Sequence, residues 1–335
     1  MMVQGTEKQM NSKNILEVNN LRTYFFTRRG VVKAVDGVSF SLKESETLGI
    51  VGESGSGKSV SSFSIIRLVA EPAGRIVGGE ILFNGENLLL KSEKEMDQIR
   101  GAEISMILQD PMTSLNPVFT IGNQVSEPIK IHQKLDEKSA WQKAVEMLKK
   151  VGIPSPEVRM TEYPHQMSGG MRQRIVGGMV LSCQPKILIA DEPTTSLDVT
   201  IQAQFLRLLK EIQQQSNLSM IIVTHDFGIV ARACDRVAVM YAGKIVESAG
   251  TMDLFNNPSH PYTVALMHSL PKMGVRQDKL FSIDGQPPDL RTLGAGCSFA
   301  PRCTDVKEIC RQEYPPQVIV GEGHAVNCWL RKGQE

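Results

Sequence analysis

Thr47-Leu48-Gly49-Ile50-Val51 runs directly into Gly52-Glu53-Ser54-Gly55-Ser56-Gly57-Lys58-Ser59, and this junction decides the fold. The first five residues read as a short buried strand. The next eight match G-x-x-x-x-G-K-[ST], the loop whose backbone N–H groups converge on phosphate oxygens. Its glycines let the chain curl, and Ser59–Leu68 reads as the following helix, whose positive end completes an anion site. Lys58 is expected to reach the β- and γ-phosphates of ATP and the Ser59 hydroxyl to bind Mg²⁺. Gly52, Ser54, Gly55, Ser56, Gly57 and Val60 are expected to line the rest of the phosphate site.

Working outward, Lys186-Ile187-Leu188-Ile189-Ala190-Asp191-Glu192 ends an apolar strand on two carboxylates. Asp191 is expected to hold Mg²⁺ and Glu192 to polarise the attacking water. Met220–Val223 is another buried strand, and the helical stretch Ile201–Gln214 separates the two. Such alternation predicts a parallel sheet with crossover helices, an α/β fold. Trp141, Ala144, Val145, Leu148 and Val151 form one apolar helix face, opposite Lys143, Glu146 and Lys149. At the front, strands at Ile15–Phe26 and Val32–Leu42 and the Asn84-Gly85 hairpin turn after Ile81-Leu82-Phe83 predict a small antiparallel sheet. From about Asn256 the texture changes, with Pro258, Pro261, Pro271, Pro287 and Pro288, and a domain boundary is expected there.

Lys+Arg 37 against Asp+Glu 36 leaves no basic surplus, which argues against nucleic acid as the main partner. No apolar run approaches the roughly 18 residues that span a bilayer. Residues 1–14 are polar, with no apolar core for a secretory signal, and read as a disordered leader. A cytosolic protein is expected, its membrane role coming through partners. Cys183 and Cys234 stand alone among apolar residues, whereas Cys297, Cys303, Cys310 and Cys328 crowd into the C-terminus with spacing C-x5-C-x6-C-x17-C. That spacing leaves a metal or cluster site and free thiols both open. His260 and His324, beside Pro258, Pro261 and Gly323, read as exposed loop residues and not as ligands.

These residues together resemble the ATPase subunits of ABC transporters over the whole chain after the leader. The most specific element is Ser168-Gly169-Gly170-Met171-Arg172-Gln173-Arg174, similar to the family's signature sequence, with Met171 where the commonest version has Gln. Ser168 can cap a helix whose glycines expose backbone N–H groups. The resemblance implies that Ser168, Gly169 and Gly170 close on the γ-phosphate held by a second subunit, so that two ATPs lie at a dimer interface. It further implies a Q-loop glutamine at Gln109 touching Mg²⁺, a D-loop at Ser196-Leu197-Asp198, a switch histidine at His225, and an adenine-stacking aromatic at Phe25, with Tyr24 a competitor. The implied fold is a P-loop NTPase over residues 15–255: a RecA-like parallel-sheet core, an antiparallel β-subdomain and a helical subdomain at about 110–175. A small irregular cysteine-containing domain follows at 256–335.

Two segments, Gln109–Pro117 and Leu254–Leu266, are similar to the peptide and nickel importers, and a third, Gly296-Cys297-Ser298-Phe299-Ala300-Pro301-Arg302-Cys303, belongs to a tail that nickel-specific relatives tend to lack. The last is similar to oligopeptide and dipeptide transport ATPases, so the resemblance favours peptide import over nickel. It implies a [4Fe–4S] cluster on Cys297, Cys303, Cys310 and Cys328 in preference to zinc. The implied partners are a second, related but different ATPase subunit, two membrane permease subunits and, indirectly, an extracytoplasmic peptide-binding protein. The place of action is the cytoplasmic face of the membrane. A non-transport ABC ATPase would carry coiled-coil insertions or tandem cassettes, and a regulatory subunit would lack Glu192 or His225.

Overall fold

Every residue of Thr47–Val51 is buried, as a strand covered on both faces requires. The computed structural model describes residues 13–109, 114–194, 198–270 and 282–332. Its strands begin with β1 (Asn14–Thr27), β2 (Gly30–Lys43), β3 (Thr47–Val51), β4 (Gly74–Phe83), β5 (Glu86–Asn87) and β6 (Ile104–Ile107). They continue with β7 (Ile187–Asp191), β8 (Ser219–Thr224), β9 (Arg236–Tyr241), β10 (Lys244–Gly250), β11 (Gln317–Gly321) and β12 (His324–Asn327).

The core sheet has the order β11-β12-β10-β9-β3-β8-β7-β6. β3 runs parallel to β8 and β9, and β7 runs parallel to β6 and β8. Parallel neighbours need long crossovers, here supplied by helices such as Val199–Ser216 and Phe227–Ala233. This topology positions the site. The carboxyl ends of β3, β8, β7 and β6, adjacent in the sheet, release Gly52, His225, Glu192 and Gln109 along one edge. Ligand sites of open α/β sheets form at such edges.

The second sheet, β2-β1-β4-β5, is antiparallel. Asn84 and Gly85 have φ of 51° and 85°, and Phe83 pairs with Glu86, the two-residue turn expected of Asn-Gly. Helices Ile121–Gln133, Glu137–Lys150 and Gly169–Leu181 pack together beyond β6. Glu137–Lys150 buries Ala140, Ala144, Met147 and Leu148 and exposes Lys143, Glu146 and Lys149, in accord with its period.

Beyond Asn256 the regular crossovers stop but the core sheet does not. β12 pairs antiparallel with β10, Glu247 opposite Val326, and β11 pairs with β12. The expectation of exposed His260 and His324 is corrected here, since both are buried. His260 caps the helix Pro261–His268, its Nδ1 accepting from the Tyr262 N–H at 3.0 Å. His324 Nε2 lies 2.7 Å from Glu247 Oε1, and Glu247 also accepts from the N–H groups of Ser259 and His260. A buried carboxylate with three partners draws both histidines inward, and proline or glycine neighbours do not reveal it. Among the described residues no helix is long and apolar enough to cross a membrane.

Candidate functional site

The phosphate loop leaves β3 at Gly52 and is held closely from behind. A Cβ on Gly52 would lie 2.1 Å from the Met240 carbonyl, and one on Gly57 would lie 2.2 Å from the Ala34 carbonyl. Both glycines have positive φ, so contact and conformation together demand the residue. The Gly243 N–H donates to the Ser56 carbonyl at 2.9 Å, bracing the loop against the β9–β10 turn. Ser54 and Gly55 stay exposed at its tip, and Val60 is half-buried on the following helix.

Lys58 is buried, and its Nζ donates to the carbonyls of Gly52 at 2.8 Å and Glu53 at 3.0 Å. An ammonium has three donors, so this geometry leaves one to point into the loop. Burial pulls its pKa below the ordinary lysine value, against the attraction of Glu192, Asp191 and Glu53. Ser59 Oγ donates to Asp191 Oδ1 at 3.1 Å. Burial raises the Asp191 carboxyl above its usual range, with the Ser59 bond working the other way.

Glu192 is the first residue beyond β7 and has φ 45°. Its Oε2 accepts from Gln109 Nε2 at 2.9 Å, and its Oε1 lies 3.1 Å from His225 Nδ1. Three residues placed apart in the sequence thus meet on one carboxylate, with His225 well exposed and Glu192 largely covered. The arrangement can hold an anion at the loop, a hard cation between Ser59 and Asp191, and a water near Glu192.

Ser168 caps Gly169–Leu181, its Oγ accepting from the Met171 N–H at 3.3 Å. A Cβ on Gly169 would meet nothing within 4 Å, so the helix tip is open there, while Gly170 packs on Ile201. Asp198 caps Val199–Ser216 through the N–H groups of Thr200 and Ile201. Ser196 and Leu197, and Asp110 to Thr113 beyond Gln109, lie outside the described residues. Phe25 is half-buried, its ring edge against Gly74, whereas the Tyr24 hydroxyl donates to Asp36 at 2.7 Å.

Two contacts of this region were not foreseen. Fully buried Gln173 donates from Nε2 to the Pro193 carbonyl, tying the Ser168 helix to the segment after Glu192. The Glu53 N–H donates to the Tyr262 hydroxyl at 2.9 Å, so the region beyond Asn256 touches the phosphate loop. No local pattern marks either contact, because the second joins residues more than 200 positions apart.

Cys297, Cys303, Cys310 and Cys328 line one cavity of about 20 Å³ with His260 and Trp329. Burial pushes the Cys297 thiol up to about 11 and raises Cys303 and Cys328 as well. The donor type suits a soft metal or cluster, which binds thiolates. Among the described residues, however, no group of three or more His, Cys, Asp or Glu side chains is arranged to hold a metal ion.

Comparison with known proteins adds to this geometry. Residues 35–195 match the family model described as ABC transporter, and residues 246–310 match that described as the oligopeptide/dipeptide transporter C-terminal region. The chain is 52% identical to the dipeptide transport ATP-binding protein DppD of Bacillus subtilis (strain 168), covering 95% of each chain. It is 50% identical to the oligopeptide transport ATP-binding protein OppD of the same organism, covering 94% of this chain and 88% of that one. The solved dimeric structure of MJ0796, a bacterial ABC transporter cassette, superimposes with a TM-score of 0.63 at 25% identity, over 70% of this chain and 98% of the other.

Proposed function

Since the chain belongs to the ABC transporter ATP-binding subunits, we propose that it binds and hydrolyses MgATP to drive peptide import through membrane permease partners. One observation carries the catalytic part. Lys58, Asp191, Glu192, His225 and Gln109 converge at the edge formed by four adjacent strands. Loop amides from Gly52 to Ser59, Val60 and the Lys58 ammonium bind the triphosphate, and Phe25 or Tyr24 receives the adenine. Glu192 accepts a hydrogen bond from the attacking water and polarises it, while His225 and Gln109 hold that carboxylate in place. His225 also donates to the γ-phosphate as the site closes.

Ser59, Asp191 and the Gln109 carbonyl oxygen would hold Mg²⁺; when bound, this ion neutralises charge on the phosphates. Ser168, Gly169 and Gly170, with the D-loop at Asp198, serve the nucleotide of a second, related ATPase subunit. An apolar groove of about 410 Å³, lined by Leu68, Leu108 and Ile131 beside Gln109, suits a permease segment that senses the nucleotide through that glutamine. On this proposal the chain acts at the cytoplasmic face of the membrane, with an extracytoplasmic peptide-binding protein as an indirect partner. Membrane vesicles holding chain and permeases should accumulate labelled di- or oligopeptide only with MgATP inside the reach of this subunit. Uptake of nickel and not peptide would overturn the substrate class.

The [4Fe–4S] proposal for the four C-terminal cysteines is supported by their convergence on one cavity. Iron and acid-labile sulfide in about fourfold ratio to purified chain would support it. A colourless chain with four titratable thiols, or one bound zinc, would end it.

A further inference from the structure

Arg302 stands one residue before Cys303, yet its guanidinium reaches the phosphate loop. All five of its N–H groups have partners. Nη1 donates to Glu53 Oε2 at 2.7 Å and to the Tyr241 hydroxyl at 3.3 Å. Nη2 donates to Glu53 Oε1 at 3.0 Å and to the Ile283 carbonyl at 3.4 Å, and Nε donates to the Asp284 carbonyl at 3.0 Å. The rings of Tyr241 and Phe299 lie 5.9 and 6.0 Å from the guanidinium carbon. The Arg302 side chain is 5% exposed. A buried arginine is costly unless every donor is satisfied, and here the fold satisfies each one.

Glu53 is the second residue of the phosphate loop. Its carbonyl accepts from both Lys58 Nζ and the Ser56 N–H, so its backbone belongs to the anion site itself. Its carboxylate would repel a triphosphate if left uncompensated. The fork of Arg302 neutralises that charge and draws it into the C-terminal segment, while the Tyr262 hydroxyl holds the Glu53 N–H.

We propose that Arg302 is a positioning residue for MgATP, neutralising Glu53 so that tight nucleotide binding requires the cysteine-bearing segment to be docked. This rests on Lys58 and its loop being the nucleotide site. The consequence is a physical route from that segment to the ATPase centre, through one ion pair.

The test is calorimetric titration of the full chain with MgATP. Arg302→Met should raise Kd about tenfold, because it leaves a carboxylate unpaired beside the phosphates. Arg302→Lys, which keeps the charge but not the fork, should cost about threefold. Adding Glu53→Gln to Arg302→Met should recover binding to within about threefold of the native chain, since the repelling charge is gone. A merely structural role for Arg302 gives no such rescue. An Arg302→Met chain that melts like the native one and binds within about twofold of it overturns the proposal, as does a double variant that binds no tighter than Arg302→Met. Should Arg302→Met fail to fold, Arg302→Lys decides, with Kd within about twofold of native counting against the proposal. A native chain that binds no MgATP instead removes the underlying site.

Discussion

Glu192 shows how one residue gains a role from its surroundings. Its φ of 45° is a conformation non-glycine residues avoid, at a cost on the order of 1–3 kcal/mol. That turn carries the carboxylate off the end of β7 to meet Gln109 and His225. Glu192→Gln keeps the shape and an acceptor for Gln109 but removes the charge proposed to polarise water. Hydrolysis should fall by about 10²–10⁴, with the affinity for MgATP kept within about threefold. A phosphate-release assay beside an equilibrium titration separates the two quantities. Undiminished turnover would mean that another group activates the water. Asp191 and Glu192 were legible in the sequence because a fully apolar strand ends on them. The backbone turn was not, since nothing in the residue type signals a positive φ.

At the scale of elements, what could be read depended on whether the cause is local. The Asn84-Gly85 turn, the all-apolar β3, β7 and β8, and the period of Glu137–Lys150 carry their reasons within a few residues. β11 and β12 do not. β11 is mostly exposed and sits at the sheet edge, and the partner of β12 is β10, over 70 residues upstream, so no periodicity announces the pairing. What fixes it is Glu247, buried on β10 and accepting from Ser259, His260 and His324. Glu247→Ala would leave three donors without their acceptor, two on the adjacent residues Ser259 and His260 and one on β12 at His324. The loss should be about 3–5 kcal/mol, the cost of breaking a buried charged network from one side. Urea unfolding should show the C-terminal hairpin released first, as amide exchange at Val318–Val326 rising before that of β3. Equal protection of both in the variant would mean that the apolar contacts of Val326 alone hold the hairpin.

The whole molecule has an open feature that one chain does not use. The tip of Gly169–Leu181, where Ser168 Oγ caps the Met171 N–H, is open at Gly169, and the signature reading assigns it to a phosphate on another subunit. Ser168→Asp isolates that role, because aspartate caps a helix as well as serine does and the fold should stand. Its negative charge would meet the γ-phosphate of the facing subunit and oppose closure. The variant should therefore bind MgATP at its own Lys58 loop with near-native affinity and lose turnover in the assembled transporter by about tenfold or more. Mixing it with a Lys58→Ala chain tells which subunit faces it. In a pair of identical chains, the Lys58→Ala copy supplies an intact helix tip to the intact loop of the Ser168→Asp copy, and one working site returns. In a pair of different chains no such rescue occurs, because neither variant ever faces the other. The heterodimer reading expects no rescue, and recovered turnover in the mixture would replace it with two copies of this chain.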